Sequence, residues 1–478
     1  MGNEDFKLPP GWHCRNLVDC TKGGNISYGI VQPGQHQDDG IGIIRVNNIQ
    51  NGKISVADVL KVSHDVESKF SKTRLEGGEV LLTLVGSTGL SAITTKDLHG
   101  WNVARAVAVI KPCDEISAEW IHICLQSPYT KYFLDSRANT TVQKTLNLKD
   151  VKEIPLPLPP IEERMNLEKI YFDLENKINL NLEINQTLEQ MSQTLFKSWF
   201  VDFDPVIDNA LDAGNSIPEA LQSRAELRQK VRNSADFKPL PADIRALFPT
   251  EFEETELGWV PKGWDIVKTE DIAIKIGMGP FGSNIKVSTF VDSGVPVISG
   301  QHLKEILIVD GDNNFITPEH ADKLKNSAVH RKDIIFTHAG NIGQVSIIPD
   351  DSEYDDYIIS QRQFYLRVNE SKSSPYYLIH YFRSEQGQHA LLSNASQVGV
   401  PSIARPSTHL KNITFLNPSK SLLEEYDKLC APLFKRFSQN RKYSISLTAL
   451  RDTLLPKLIS GELSLEDLPN LVTQTEPA

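Results

Sequence analysis

The stretch GEVLLTLVGSTG, residues 78–89, occurs twice in this chain in two spellings, and its second appearance is KDIIFTHAGNIG at residues 332–343. In both, a short apolar run too brief for a helix ends at a turn bracketed by glycines, Gly86 and Gly89 in the first copy and Gly340 and Gly343 in the second. The pattern reads as a buried strand and a tight turn whose glycines supply positive φ. Working outward, LPPGW (Leu8–Trp12) returns as VPKGW (Val260–Trp264), and long helical patterns close both halves, Ile161–Phe200 and Leu422–Ile459. Two tandem copies of one domain plus one helix imply an internal pseudo-two-fold, which suits a target that itself has two parts; duplex DNA is the leading candidate.

With 478 residues the chain exceeds a single hydrophobic core. The first domain, residues 1–155, is carried by short apolar or alternating runs (GIIRVNNI, EVLLTLV, VARAVAVIK) separated by Gly, Asn and Asp, with one helical stretch at 118–135. The second, residues 258–415, repeats it, with its helical stretch at 375–394. Each domain is therefore expected to be α+β and mostly sheet. IPLPLPP (Ile154–Pro160) ends the last extended segment and opens a helix, because proline is tolerated in a helix's first turn and not inside it. Long helices are expected at 156–200 and 416–465, a connector at 201–257 and a short acidic tail at 466–478.

A heptad reading of the first helix places Leu167, Leu174, Asn181, Leu188 and Leu195 on one seam position and Ile170, Lys177, Ile184, Met191 and Ser198 on the other. Adding 259 gives Tyr426, Leu433, Asn440, Leu447 and Leu454, then Leu429, Arg436, Tyr443, Leu450 and Lys457. The helices share the seam down to its polar interruptions, which predicts an antiparallel coiled coil. Each rod, roughly 57 Å long at 1.5 Å per residue, would hold the two domains at a fixed separation. Asn181 and Asn440 fall at one seam position, where a buried polar group costs stability and fixes register; the alternative is that both are exposed.

Composition narrows the class. No apolar run approaches the roughly 20 residues that cross a bilayer, and MGNEDFKLPPGW is not a basic-then-apolar leader, so a cytoplasmic protein without a membrane partner is expected. Cys14, Cys20, Cys113, Cys124 and Cys430 are odd in number and never spaced C-x-x-C, which argues for reduced thiols. The net charge of −11 is unlike a DNA-coating protein, since phosphate affinity comes from Lys and Arg. Part of the excess acid lies in 202–256, where carboxylates outnumber cations about two to one, so the repeated domains are closer to neutral and partners would supply backbone contacts. The connector itself reads as two helices, Pro218–Arg232 and Pro239–Pro249, serving either as a docking segment or as a plain folded link.

The chain carries no G-x-x-x-x-G-K-[ST] loop, no H-E-x-x-H, no metal-spaced histidine cluster and no Asn- or Asp-Pro-Pro-aromatic run. Gly277-Met-Gly-Pro-Phe-Gly282 spells G-x-G-x-x-G, but Pro280 removes an amide and the residues that follow read as extended, so a dinucleotide cradle is not expected. Trp12 and Trp264 read as core anchors. Trp199 and Phe200 read either as a partner-docking patch or as the cap of the helix pair.

These runs together resemble the specificity subunit of type I restriction-modification systems. The likeness rests on the doubled [LV]-P-x-G-W, on YGIVQPG (Tyr28–Gly34), GPFGSN (Gly279–Asn284), LFKSWFVDFDPV (Leu195–Val206) and LRDTLLPKLISGEL (Leu450–Leu463), and it spans nearly the whole chain. It implies that each repeated domain is a target recognition domain reading one half of a split, asymmetric site in double-stranded DNA. It further implies that the helices separate the readers and receive two modification (methyltransferase) subunits, with restriction/translocase subunits completing the complex. Catalysis would then lie in partners, S-adenosylmethionine on the modification subunits and ATP with Mg on the restriction subunits, and this chain would be a non-enzyme. The competing classes are an autonomous methyltransferase or nuclease with built-in specificity domains, and a coiled-coil assembly protein that does not bind DNA.

Major-groove readout favours Arg or Lys on guanine and Asn or Gln on adenine, presented by loops on a rigid sheet. The repeat offers matched loops: Arg45, Asn47 and Asn48 against Ser299, Gln301 and His302; Ser87 and Thr88 against Asn341, with His338 nearby; Arg105 against Gln361 and Arg362; and Asn139, Gln143 and Lys144 against Gln397 and Arg405.

Overall fold

The structure, a computed structural model, describes residues 8–137, 144–282, 284–311, 313–396 and 399–460. The chain divides into two compact units, one of residues 1–179 with 444–478 and the other of residues 180–443.

In the first unit a four-stranded antiparallel sheet runs in the order Thr21–Tyr28, Val107–Pro112, Val80–Thr83, Ser91–Ile93. Its neighbour is a smaller sheet, Leu60–Val62, Ile41–Ile44, Asn102–Val103, whose last pair is parallel. The larger sheet is covered on both faces. Val80 and Leu82 enter a core with the helix Ala118–Gln126, whereas Leu81 joins a second core with Ile44 and Val103. That explains why the run is continuously apolar instead of alternating. His13–Asn16 pairs with Pro155–Leu158 where the domain closes, and the first long helix starts three residues later, at Ile161.

The second unit repeats the plan. Ala273–Met278, Gln363–Val368, Ile334–Thr337 and Val345–Ile347 form the larger sheet; Asn314–Ile316, Val295–Ile298, Tyr357–Ile359 and Ala328–Val329 form the smaller, again with one parallel pair. Asp265–Lys268 pairs with Thr414–Asn417. Ile334 and Phe336 point into one core and Ile335 into the other, as in the first copy.

The long helices are Ile161–Phe196 and Lys420–Ser460, and each contributes to both units. Within the first unit Leu167 and Tyr171 share a core with Leu455, Leu458 and Ile459, and Glu175 pairs with Arg451. Within the second, Asn185 donates to the Phe437 carbonyl at 3.1 Å and accepts from the Asn440 amide at 3.0 Å. In each unit rising numbers on one helix meet falling numbers on the other, so the pairing is antiparallel. Asn181 and Asn440 are both buried. On the first seam Leu167, Leu447 and Tyr426 are buried, and Leu174, Leu188, Leu195, Leu433 and Leu454 partly so.

The second seam lies one residue later than expected. Tyr171, Ile178, Asn185, Ser192 and Trp199 are buried where Ile170, Lys177, Ile184, Met191 and Ser198 were placed; Cys430, Phe437 and Leu458 replace Leu429, Arg436 and Lys457. Lys177, Arg436, Tyr443 and Leu450 face solvent, so the apparent interruptions of the stripe are surface residues. The spacing is i, i+4, i+7 rather than i, i+3, i+7, and buried Asn185 and Ser192 hid it.

The connector is a folded part of the second unit. The helices Asp204–Ala213 and Gln222–Arg232 lie side by side in the same direction, joined by ion pairs at a constant separation of 20 residues: Asp204–Arg224, Asp208–Arg228 and Asp212–Arg232. The first of these helices was not foreseen, and the surface helix expected at Pro218–Arg232 begins at Gln222 after a 3-10 turn. Trp199 and Phe200 are buried beside Phe248, Trp264, Tyr377 and Tyr426. They are core, which excludes the exposed docking patch.

Candidate nucleic-acid interface

The loops named from the sequence are gathered by backbone hydrogen bonds at one end of each unit's sheets. In the first unit the Leu84 N–H donates to the Ala106 carbonyl (2.8 Å), the Leu146 N–H to the Leu84 carbonyl (2.8 Å), and the Gly86 N–H to the Lys144 carbonyl (2.9 Å). The second unit repeats this clip with His338 to Arg362 (2.9 Å), Ile403 to His338 (2.8 Å) and Gly340 to Pro401 (2.9 Å). A further bond ties in the loop after the smaller sheet's parallel strand, Ala104 to Ile44 (2.9 Å) and Ser360 to Ile298 (2.8 Å). The clip works because Gly86, Gly89, Gly340 and Gly343 all adopt positive φ, between 77° and 85°. Each unit therefore presents one platform: Arg45, Asn47, Ser87, Thr88, Arg105 and Lys144 in the first, Gln301, His338, Asn341, Gln361 and Arg362 in the second.

Not every named side chain faces outward. Asn48 is buried; its Oδ1 accepts the Arg45 N–H at 3.0 Å and its amide donates to the carbonyls of Ser55 and Asp58. His302 is its structural twin, buried, with Nδ1 accepting the Ser299 N–H at 2.9 Å. Both residues hold their turns, because a side-chain acceptor three residues on caps the free amide that starts a 3-10 turn. Arg45 is half-buried and bound to the carbonyl and carboxylate of Asp58, and Lys144 is paired with Asp135. Arg105, Asn47, Ser87, Asn341, Gln361 and Arg362 are exposed or on the rim, and Arg105 and Arg362 form no ion pair among the described residues. His338 sits half-buried with Nε2 donating to the Gln361 carbonyl at 3.1 Å; burial holds its pKa below the ordinary value, so at neutral pH it offers an uncharged ring whose Nδ1 is an acceptor.

The register of the clip sets Pro401, not Arg405, opposite Lys144. Arg405 instead stands at φ 45° at the head of the helix Pro406–Asn412, opposite Leu148, which opens the matching helix of the first unit. Asn139, Gln143 and Gln397 lie outside the described residues. Tyr28, Lys69 and Lys72, not named from the sequence, line an open cleft of about 300 Å³ in the first unit. The G-x-G-x-x-G run is the end of the strand Ala273–Met278, and no α-helix opens behind it in the described residues, so nothing there aims a helix N-terminus at a pyrophosphate. No group of three His, Cys, Asp or Glu side chains able to hold a metal occurs among the described residues, and no described helix is long and apolar enough to cross a membrane.

Residues 33–190, which carry the first platform, match the family described as "Type I restriction modification DNA specificity domain". The HindI type I restriction enzyme specificity subunit of Haemophilus influenzae is 25% identical over 456 residues, covering 88% of this chain and 94% of that protein. These similarities are to type I specificity subunits. The EcoBI specificity subunit of Escherichia coli is 33% identical over 168 residues, 34% of this chain and 35% of that protein. The fold agrees with the solved type I S subunit from M. genitalium, at a TM-score of 0.52 and 12% identity over 96% of this chain and 98% of that one.

Proposed function

We propose that each unit reads one half of a bipartite, asymmetric duplex DNA site through its clipped platform. The paired long helices set the distance between halves and dock two modification subunits, and restriction/translocase subunits complete the assembly. In this reading the chain is not a catalyst. S-adenosylmethionine binds the modification subunits, ATP and Mg bind the restriction subunits, and the complex works in the cytoplasm.

The observation that supports it best is the duplicated clip: the same three backbone bonds hold two sets of unlike outward side chains. Asn47 stands where Gln301 does, Ser87 where Asn341 does, Arg105 where Gln361 does. A constant frame with variable letters is what reading two different half-sites requires. The connector accounts for part of the net negative charge; its Asp204, Asp208 and Asp212 are matched to arginines, so the excess comes from its other carboxylates, such as Glu253, Glu254 and Glu256.

The test is to co-express the chain with modification and restriction subunits and map methylated bases across the host genome. A split motif with two fixed ends and an unspecified middle is expected. A continuous motif, or methylation without sequence preference, would refute the reading.

A further inference from the structure

The strand that leads into each platform is followed directly by a glycine that leaves no room for a side chain. A Cβ built on Gly29 would lie 1.9 Å from the Val103 carbonyl oxygen, and one built on Gly279 would lie 1.9 Å from that of Ser360. The strand end is thus pressed against the Arg105 loop in one unit and the Gln361–Arg362 loop in the other. Backbone bonds fix it there, Arg105 N–H to Ile30 at 2.9 Å and Gly279 N–H to Gln363 at 2.8 Å.

Two residues beyond the glycine, both units put an apolar side chain into water: Val31 is 42% exposed and Phe281 is 77% exposed. Across the second platform, Val400 is 65% exposed and precedes Pro401, whose carbonyl takes the Gly340 N–H. The two segments that carry these uncovered apolar side chains are bonded to the platform of His338, Asn341 and Arg362, Gly279 to Gln363 and Pro401 to Gly340. Such placement contributes little to folding, since neither side chain gains burial. Among base edges in the major groove, one group calls for an apolar contact beside polar ones, the C5 methyl of thymine.

We propose that Phe281 is a specificity-determining residue that contacts a thymine methyl in the half-site read by the second unit, with Val31 as its smaller counterpart in the first. The proposal rests on the bipartite reading above and deepens it by naming a base and a side chain. Because Phe281 lies on the surface, Phe281→Ala leaves the core intact, and Phe281→Leu keeps an apolar contact.

Once the motif is mapped, each thymine is replaced singly by uracil, which removes only the methyl. Binding by the full chain with its modification subunits is then compared for wild type, Phe281→Ala and Phe281→Leu. One uracil, in one half only, is expected to weaken wild-type binding about four-fold, the worth of one buried methyl-sized group. Phe281→Ala weakens binding to thymine DNA at least as much and is indifferent to that uracil, while Phe281→Leu still senses it. The proposal is overturned if no uracil position separates wild type from Phe281→Ala, or if Phe281→Ala weakens both halves or random DNA equally. Absence of any split motif is a different result, which removes the functional reading itself.

Discussion

At the foot of the strand that carries each glycine turn, both units bury a carboxylate, Glu79 in the first and Asp333 in the second, and they satisfy it by different means. One donor is common: the N–H three residues earlier, from Glu76 at 2.7 Å or His330 at 2.9 Å. The first unit adds the Gly77 N–H at 2.9 Å and the Thr94 hydroxyl at 2.5 Å, all neutral donors. The second adds the Arg367 guanidinium, bidentate at 2.9 and 2.7 Å. The turn is common to both copies, whereas the donors that satisfy its carboxylate differ. Removing a donor tests this directly. Arg367→Ala strands a buried charge and should destabilise the second unit by about 3–5 kcal/mol. Thr94→Val removes one neutral bond of several and should cost the first unit about 1–3 kcal/mol. Hydrogen exchange read separately in the two units checks both, and equal loss of protection in both would mean that the units unfold as one body.

The same contrast, carried to the platforms, concerns function rather than stability. Arg105 and Arg362 stand on equivalent loops, exposed and without an ion pair among the described residues, so replacing either should leave the fold unchanged. Arg105→Ala is expected to weaken binding by about 1–3 kcal/mol with the effect confined to base changes in one half-site, and Arg362→Ala to do the same in the other half. Binding to single-base variants of the mapped motif reads the outcome. A uniform loss over all sequences, with a shallower salt dependence, would assign these arginines to phosphate instead.

Much of this was legible in the sequence, and the parts that were not have physical reasons. The strand and turn at 78–89 and 332–343 announced themselves because a doubly covered strand must be continuously apolar and its turn needs glycine. The helices were legible from their repeats, but their second seam was not, because Asn185 and Ser192 are buried polar residues that the pattern reads as surface. Asn48 and His302 were named as candidate base readers, yet both are buried and cap their own turns, and sequence cannot distinguish a side chain that faces outward from one that caps its own turn. Trp199 and Phe200 became core because Phe248 and Trp264, 49 and more positions downstream, fold back over them. Exposed Phe281 was hidden inside a glycine motif that drew attention to the wrong chemistry.

The smallest expected effect concerns a tether that both copies share. Ser117 caps the helix Ala118–Gln126, and its hydroxyl also donates to Glu168 on the first long helix; Ser374 caps Pro375–Arg383 and donates to Asp427 on the second. Burial raises both carboxyls, Asp427 to about 6, against the opposing influence of the serine bond and of Lys420 and Lys332, with Glu370 adding to the rise. Glu168 is raised by burial too, offset by Ser117 and Arg164. A carboxyl whose folded pKa exceeds its unfolded value takes up a proton on folding, so its contribution to stability is greatest when it is protonated and falls as pH rises. For Asp427 the decline lies between about pH 4 and 6, from the ordinary aspartate value to the folded one. Asp427→Asn should flatten that part of the second unit's stability profile and leave the first unit's unchanged, and Glu168→Gln should do the reverse. Denaturant midpoints measured from pH 4 to 7 with a probe in each unit would show it, and a profile unaltered by Asp427→Asn would mean that the carboxylate remains solvated and that the tether is held by a hydrogen bond alone.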